Sequence, residues 1–144
     1  AIKEATGAMY AIHEGDAELL KRDNAWMIQM MPDYQEPPEP DRYVKVGDVI
    51  EGGGVMLRVI ETPGHTQGGV CYYGDGVVFT GDTLFRGSIG RSDMPGGDGR
   101  RLLLGILTRL MALPADTRVY PGHGPDTTIG REKLTNPFLM GGLV

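Results

Sequence analysis

Three short glycine-containing segments constrain the fold of this chain more than any other feature. They are residues 62–66 (TPGHT), 79–83 (FTGDT) and 120–124 (YPGHG). Each ends a strand-like run with a tight turn and places one metal-binding side chain there. These side chains are His65, Asp82 and His123. Two imidazoles and a carboxylate suit zinc, iron or manganese, so the segments predict part of a metal site on a sheet.

Each segment alone is a weak signal. An isolated buried histidine is more often a hydrogen-bonded structural residue than a ligand, and an aspartate after glycine usually forms a turn. The joint occurrence of the three segments, in separate parts of one chain, favours the metal site. Three ligands are nevertheless too few to hold two metal ions.

Length and charge exclude several classes of protein. The chain has 144 residues, which favours one domain, and its formal net charge of −5 argues against nonspecific nucleic-acid binding. No apolar run approaches the ~20 residues of a membrane helix. The single cysteine, Cys71, excludes an intrachain disulfide, and its apolar strand neighbours favour an inert core thiol. With no targeting signal in the sequence, these features predict a cytoplasmic protein.

The first third of the chain has few strong patterns. Residues 2–7 read as the last turn of a helix that stops at Gly7. A short strand over 8–13 follows, in which His13 is a strand-end or cap residue. Asp16 is the predicted N-cap of a helix over 17–22. Residues 32–40, rich in proline and acids, are an extended loop inside one domain.

The remainder predicts strands, turns and two helices. Apolar residues between 102 and 111 recur on one side of a helix that opens at Asp98 and runs to about Leu113, so this helix covers a sheet. The other predicted elements are strands at 43–46, 49–51, 55–61, 70–73, 77–80 and 117–120, with hairpin turns at 52–54 and 74–76, and a short helix at 129–134.

These motifs resemble the second half of a metallo-β-lactamase-fold hydrolase, and most closely the short bacterial glyoxalase II-like branch of hydroxyacylglutathione hydrolases. The resemblance runs over almost the whole chain. Its most specific parts are residues 61–66, 80–85, 87–93 and 120–125, with 127–139 similar to the C-terminus of that branch. It implies an α/β fold, the αβ/βα sandwich of mixed sheets covered by helices, of which residues 1–144 would be the C-terminal two-thirds.

The resemblance also implies roles for the three ligands. His65 resembles the third histidine of the first metal, Asp82 the carboxylate that bridges both metals, and His123 the last histidine of the second metal. The T-H-x-H-x-D-H motif that supplies the other ligands in the family is not in this sequence. The expected cofactor is therefore zinc, two ions in a complete site, with iron or manganese as alternatives. The expected reaction is hydrolysis of a hydroxyacylglutathione-like thioester.

Arg91 and Asp93 have two open interpretations. A cation at Arg91, in the segment that follows the bridging aspartate, is positioned in the family to hold a carboxylate of a glutathione-like substrate. The alternative is an intramolecular Arg91–Asp93 ion pair. Both residues are therefore candidate substrate-binding residues.

Two further functions are open. A persulfide dioxygenase-like enzyme, which the chain resembles at residues 90–93, would use one iron bound by His65 and Asp82, with His123 outside the site. A non-catalytic half-domain would instead need a partner. Because a sandwich without its first strands would expose an apolar sheet face, we expect this chain alone to be a homo-oligomer or to be completed by an N-terminal segment.

Overall fold

The computed structural model describes residues 2–21 and 25–141. The chain forms two compact units, residues 1–45 and residues 46–144. In the described ranges, no helix has both the length and the apolar character needed to cross a membrane. The prediction that residues 1–144 are the C-terminal two-thirds of a single domain, with an internal loop at 32–40, stays a prediction.

The first unit contains short helices and one pair of strands. Its elements are α1 (Ile2–Thr6), β1 (Ala11–His13), α2 (Glu14–Ala17), a 3-10 helix (Glu18–Leu20), α3 (Ala25–Met30) and β2 (Arg42–Val44). β1 and β2 pair in parallel. Gly7 ends α1 with a φ of +68°, and its N–H donates to the Lys3 carbonyl at 2.8 Å. The predicted helix stop at Gly7 is therefore confirmed.

The predicted cap of the second helix is wrong by three residues. His13 is the N-cap of α2: its backbone is extended and its Nδ1 accepts a hydrogen bond from the Gly15 N–H at 3.0 Å. Asp16 lies inside the helix, because the imidazole at the end of β1 already satisfies the first free N–H group. The cap role expected for His13 is confirmed. Arg22, the expected end of this helix, lies outside the described residues.

The second unit is built on a six-stranded mixed sheet. Its strands are β3 (Val49–Gly52), β4 (Val55–Glu61), β5 (Val70–Gly74), β6 (Val77–Gly81), β9 (Arg118–Pro121) and β10 (Thr127–Thr128), in the order β10-β9-β6-β5-β4-β3. A separate hairpin pairs β7 (Leu84–Phe85) with β8 (Ser88–Ile89). The helices are α4 (Gly99–Gly105), continued by a π-helical turn (Ile106–Leu110), α5 (Ile129–Thr135) and α6 (Pro137–Met140). The predicted α/β class, a mixed sheet with covering helices, is confirmed.

The core is one buried cluster of side chains from α4, from its π-helical continuation and from the sheet. Leu102, Ile106 and Leu110 are completely buried with Val78 and Val119 of the central strands. The one-sided pattern in the sequence predicted this helix face correctly. The regular α-helix is shorter than predicted, since a π-helical segment replaces it after Gly105.

One face of the six-stranded sheet is partly exposed to solvent. β9 alternates: Val119 is buried whereas Arg118 and Tyr120 are exposed. Tyr120 stacks on Phe79 of β6, with ring centroids 5.6 Å apart. Their exposed fractions are 39% and 43%. The alternation follows from the sheet, because successive residues of a strand point to opposite faces.

Candidate metal centre

The three glycine-containing segments meet at one edge of the six-stranded sheet. Strands β6 and β9 are parallel neighbours, and β4 runs in the same direction because two antiparallel pairings separate it from β6. His65, Asp82 and His123 follow the carboxyl ends of β4, β6 and β9, respectively. The topology therefore explains how three distant sequence segments come together.

Asp82 lies between the two histidines. Its Oδ1 is 2.8 Å from His123 Nδ1, and its Oδ2 is 3.5 Å from His65 Nε2. The two histidines thus approach different oxygens of one carboxylate. The exposed fractions of the side chains are 20% for His65, 36% for Asp82 and 78% for His123. The cluster is therefore open to solvent on the His123 side.

Two glycines make this close approach possible. A Cβ on Gly122 would lie 2.8 Å from Asp82 Oδ1, and a Cβ on Gly90 would collide with the Asp82 carbonyl oxygen. Neither position has room for a side chain. The motif glycines therefore shape the space around the carboxylate, as expected from their positions beside the candidate ligands.

A backbone contact orients the His65 ring. His65 Nδ1 lies 2.7 Å from the Arg91 carbonyl oxygen. Because a carbonyl can only accept, Nδ1 carries the proton, so in the neutral ring Nε2 is the nitrogen with the lone pair. This is the arrangement in which a histidine Nε2 binds a metal while its other nitrogen is held by an acceptor. No sequence pattern indicates this contact, since the acceptor is a main-chain atom.

A buried cluster of hydrogen-bonded side chains connects the segments that carry His65 and Asp82. Thr62 Oγ1 is 3.1 Å from Thr83 Oγ1 and 3.2 Å from Cys71 Sγ. Burial raises the pKa of the Cys71 thiol to about 11, with hydrogen bonds from Thr62 and Thr83 acting in the opposite direction. Cys71 is therefore neutral at physiological pH. The prediction of an inert core thiol fits this environment.

Arg91 and Asp93 form the intramolecular ion pair. Arg91 Nε and Nη2 donate to the two carboxylate oxygens of Asp93 at 2.8 and 2.9 Å. The hydrogen bonds from Arg91 lower the pKa of Asp93 to about 2, and the same contact raises the pKa of Arg91. Both side chains remain exposed. Their predicted contact with a substrate stays a prediction.

The members of the cluster contact one another directly, His123 Nδ1 with Asp82 Oδ1 at 2.8 Å and His65 Nε2 with Asp82 Oδ2 at 3.5 Å. Among residues 2–21 and 25–141, no group of three or more histidine, cysteine, aspartate or glutamate side chains is arranged to hold a metal ion. The donors themselves, two imidazole nitrogens and a carboxylate, have the chemistry that zinc, iron and manganese require. By its chemistry the donor set therefore suits a divalent ion, and in this structure the two oxygens of Asp82 contact the two histidines.

A family model assigns the chain. The model of the metallo-beta-lactamase superfamily matches residues 1–123, which include all three candidate ligands. The chain belongs to the metallo-beta-lactamase superfamily.

Curated relatives of this chain are longer than the chain itself. An uncharacterized protein of Mycobacterium tuberculosis is 44% identical over 115 residues, which cover 75% of this chain and 51% of the relative. Hydroxyacylglutathione hydrolase GloC of Haemophilus influenzae is 44% identical over 103 residues, which cover 69% of this chain and 49% of that protein. The chain spans about half the length of the curated relatives it matches.

Solved structures confirm the metallo-beta-lactamase fold. BLEG-1 B3 metallo-beta-lactamase has a TM-score of 0.89 at 34% identity, over 97% of this chain and 69% of that chain. TTHA1623 in a di-iron-bound form has a TM-score of 0.83 at 40% identity, over 96% and 68%. ETHE1 from Myxococcus xanthus has a TM-score of 0.75 at 29% identity, over 97% and 55%.

Proposed function

We propose that this chain contributes to a metal-dependent hydrolase, with His65, Asp82 and His123 as metal ligands. One observation carries the proposal: a single carboxylate, Asp82, is approached on one oxygen by each of two imidazoles. A carboxylate that uses its two oxygens separately can contact two ions. Membership of the superfamily supports a divalent metal, and zinc, iron and manganese all suit these donors.

The residues present would act mainly by holding their donor atoms ready. His65 Nδ1–H is fixed on the Arg91 carbonyl, which leaves Nε2 as the donor. His123 Nδ1 pairs with Asp82 and leaves its Nε2 unprotonated in the neutral ring. A bound divalent ion would supply activation of water near neutral pH. We propose that ligands from outside this trio complete the coordination.

For the substrate we propose a thioester of the hydroxyacylglutathione class. The support is the 44% identity to hydroxyacylglutathione hydrolase GloC over 69% of this chain. The Arg91 side chain is 58% exposed. Among the described residues, Asp93 is the partner that its guanidinium binds. A substrate carboxylate would compete with Asp93 for the same planar donor group.

The test is zinc binding by this chain, measured by calorimetry after dialysis against a chelator. We expect one ion per chain, and loss of binding in Asp82→Ala and in His123→Ala. The matched control is His13→Ala, which removes the histidine that caps α2 and should leave binding unchanged. Absence of binding in the unmutated chain would contradict the proposed ligand role.

The thioesterase proposal needs its own measurement. With zinc bound, we expect this chain alone to hydrolyse a hydroxyacylglutathione thioester poorly, because three ligands cannot hold two ions. A longer form that contains a T-H-x-H-x-D-H segment should be far more active. If that longer form binds two metals and leaves the thioester intact, the substrate class is wrong while the metal site stands.

A single-iron oxygenase is the second candidate. It is motivated by the likeness to ETHE1 from Myxococcus xanthus and by the sequence of residues 90–93. In this alternative His65 and Asp82 bind one iron and His123 does not. Metal analysis distinguishes the two: one iron per protein with oxygen uptake, unchanged in His123→Ala, would replace the hydrolase proposal.

A further inference from the structure

Glu132 is a buried carboxylate that the proposed function does not use. It lies in α5 and has no exposed surface. Its Oε2 accepts from the Gly87 N–H at 2.8 Å and from Asn136 Nδ2 at 2.9 Å. Its Oε1 accepts from Thr127 Oγ1 at 2.6 Å, and Arg131 Nε is 3.9 Å away. Removing a charged group from water is costly unless such donors surround it, so the position has a specific structural purpose.

Two of these contacts lead to the turn of the β7–β8 hairpin. Gly87, whose N–H Glu132 binds, lies in that turn with a φ of +74°. Asn136, besides binding Glu132, donates from Nδ2 to the Ser88 carbonyl at 3.1 Å. The Glu132 carboxylate and the Asn136 amide therefore bind two neighbouring backbone groups, the Gly87 N–H in the turn and the Ser88 carbonyl at the start of β8. Thr127, in contrast, binds Glu132 from β10 and makes no contact of this kind with the hairpin.

The same hairpin reaches both histidines of the candidate metal centre. The Phe85 ring lies 6.1 Å from the His123 ring, centroid to centroid. Where the chain leaves β8, the Gly90 N–H donates to the Thr83 carbonyl at 3.0 Å. The next residue, Arg91, supplies the carbonyl oxygen that fixes His65 Nδ1. A displacement of the hairpin would therefore change the surroundings of both imidazoles.

We propose that Glu132 and Asn136 form a positioning pair for the candidate metal centre. They touch neither histidine. They hold the β7–β8 turn, and the hairpin in turn holds the Arg91 carbonyl against His65 and the Phe85 ring beside His123. The proposal rests on the proposed ligand role of the histidines for its meaning, but its first test needs no metal.

The first test measures the His65 ring in the metal-free chain by nitrogen-15 NMR at about pH 8.5, where free imidazoles are neutral. The unmutated chain should show His65 protonated at Nδ1. Glu132→Met keeps the length of the side chain and leaves the Gly87 N–H and the Asn136 amide without their acceptor. We expect this variant to lose the single Nδ1–H form and to show a mixture of the two neutral forms.

A conservative variant should rescue the signal. In Glu132→Gln the amide oxygen can keep Gly87 and Asn136, while the amide NH2 donates to the Thr127 hydroxyl. We expect His65 to remain protonated at Nδ1. Thr127→Val removes one bond to Glu132 that does not involve the hairpin, so it should lower the melting temperature and leave His65 unchanged. The exposed Asp116→Asn is the matched surface control.

Asn136→Ser is the second variant and decides the matter if Glu132→Met does not fold. Serine can still cap the Phe138 N–H, as the Asn136 side chain does, but it cannot reach both Ser88 and Glu132. We expect it to act like Glu132→Met on His65. In both variants zinc affinity should fall about 10-fold, the lower end of the loss typical for groups that orient metal ligands.

The outcomes separate the two proposals. A folded Glu132→Met or Asn136→Ser chain with an unchanged His65 form overturns the positioning role. Loss of the Nδ1–H form in these variants, together with no zinc binding even by the unmutated chain, supports the positioning role and overturns the proposed metal function.

Discussion

The two histidines of the candidate metal centre are held in different ways. His65 is 20% exposed, and its Nδ1 is fixed by a backbone carbonyl outside the ligand trio. His123 is 78% exposed, and its Nδ1 is bound to Asp82, itself a candidate ligand. One imidazole is therefore oriented before any metal binds. The other is oriented by a group that the metal would also contact.

The turns that carry the two histidines also differ in how tightly they are packed. Gly64, which precedes His65, has a φ of +140°, and a Cβ there would lie 2.5 Å from Asp98 O and Leu102 N. Gly124, which follows His123, has a φ of +78° with open space around it. The His65 turn is packed against the start of α4, whereas the His123 turn is not crowded. A preorganised ligand and an adaptable ligand thus face each other across Asp82.

Alanine at the two glycines gives the largest expected difference. Gly64→Ala combines a strained backbone with a collision against main-chain atoms, so we expect a loss of about 3 kcal/mol or more in the free energy of unfolding. Gly124→Ala meets only the backbone strain and should cost about 1 kcal/mol. Urea denaturation followed by circular dichroism measures both. Equal losses would show that the two turns are not packed differently.

The buried thiol beneath the His65 turn should make stability depend on pH. The folded pKa of Cys71 is raised to about 11, above the ~8.5 of a free thiol. Its contribution is fully present below the free-thiol pKa and is lost as pH rises towards 11. By about pH 11 the loss should be on the order of 3 kcal/mol relative to neutral pH.

Cys71→Ala is the control for that dependence, since it has no thiol to ionise. The difference between the two unfolding curves, followed from about pH 8 to pH 11 by urea denaturation, isolates the thiol. The native thiol should also resist alkylation at pH 8 until urea unfolds the chain. Rapid alkylation of the native chain would place Cys71 outside the core.

Removing the shared carboxylate should affect the histidines unequally. In Asp82→Ala, His123 loses its Nδ1 partner and should adopt the mixture of neutral forms of a free imidazole, at a cost of about 1 kcal/mol or less in stability. His65 should keep Nδ1–H on the Arg91 carbonyl. Nitrogen-15 NMR of the ring nitrogens distinguishes the two, and Asp126→Asn is a surface control. A change at His65 as large as that at His123 would erase the contrast.

The smallest effect is expected at the exposed ion pair. In Arg91→Gln the pKa of Asp93 should rise from about 2 towards its ordinary value, as followed by carboxyl NMR during acid titration. The pair favours folding only above the ordinary pKa of Asp93 and loses this contribution as pH falls towards 2. Because both side chains are exposed, stability at neutral pH should hardly change. His65 should also be unaffected, since it contacts the Arg91 backbone and not the side chain.

The sequence was most informative where local chemistry decides the structure. Glycine turns, the β5–β6 hairpin and the apolar face of the helix after Asp98 follow from backbone conformation and periodicity, and these predictions agree with the structure. The cap of α2 was misplaced because a histidine ring nitrogen can accept the hydrogen bond that an aspartate usually takes. His13 has the extended backbone that an N-cap requires, whereas Asp16 lies inside the helix, and the sequence pattern does not show this difference.

Only the candidate ligands of the site, and not the groups that support them, could be predicted from the sequence. His65, Asp82 and His123 carry chemistry that a motif displays. The Arg91 carbonyl that orients His65 is a backbone atom common to every residue type. Glu132 and Asn136 act through contacts with residues 45 and 48 positions away in the chain. Such supports arise from tertiary packing, so only the folded structure reveals them.

The parallel pairing of β6 with β9 has a consequence for the order of folding. Val78 pairs with Val119, and 40 residues lie between them in the sequence, whereas β3–β4 and β5–β6 close through two-residue turns. Short loops close at a small entropic cost, and the long connection through α4 costs more and closes more slowly. We expect the hairpins to form first and β9 to join them last. Asp82 and His123 would then meet only when folding is nearly complete, so their contact would report that the whole unit has formed.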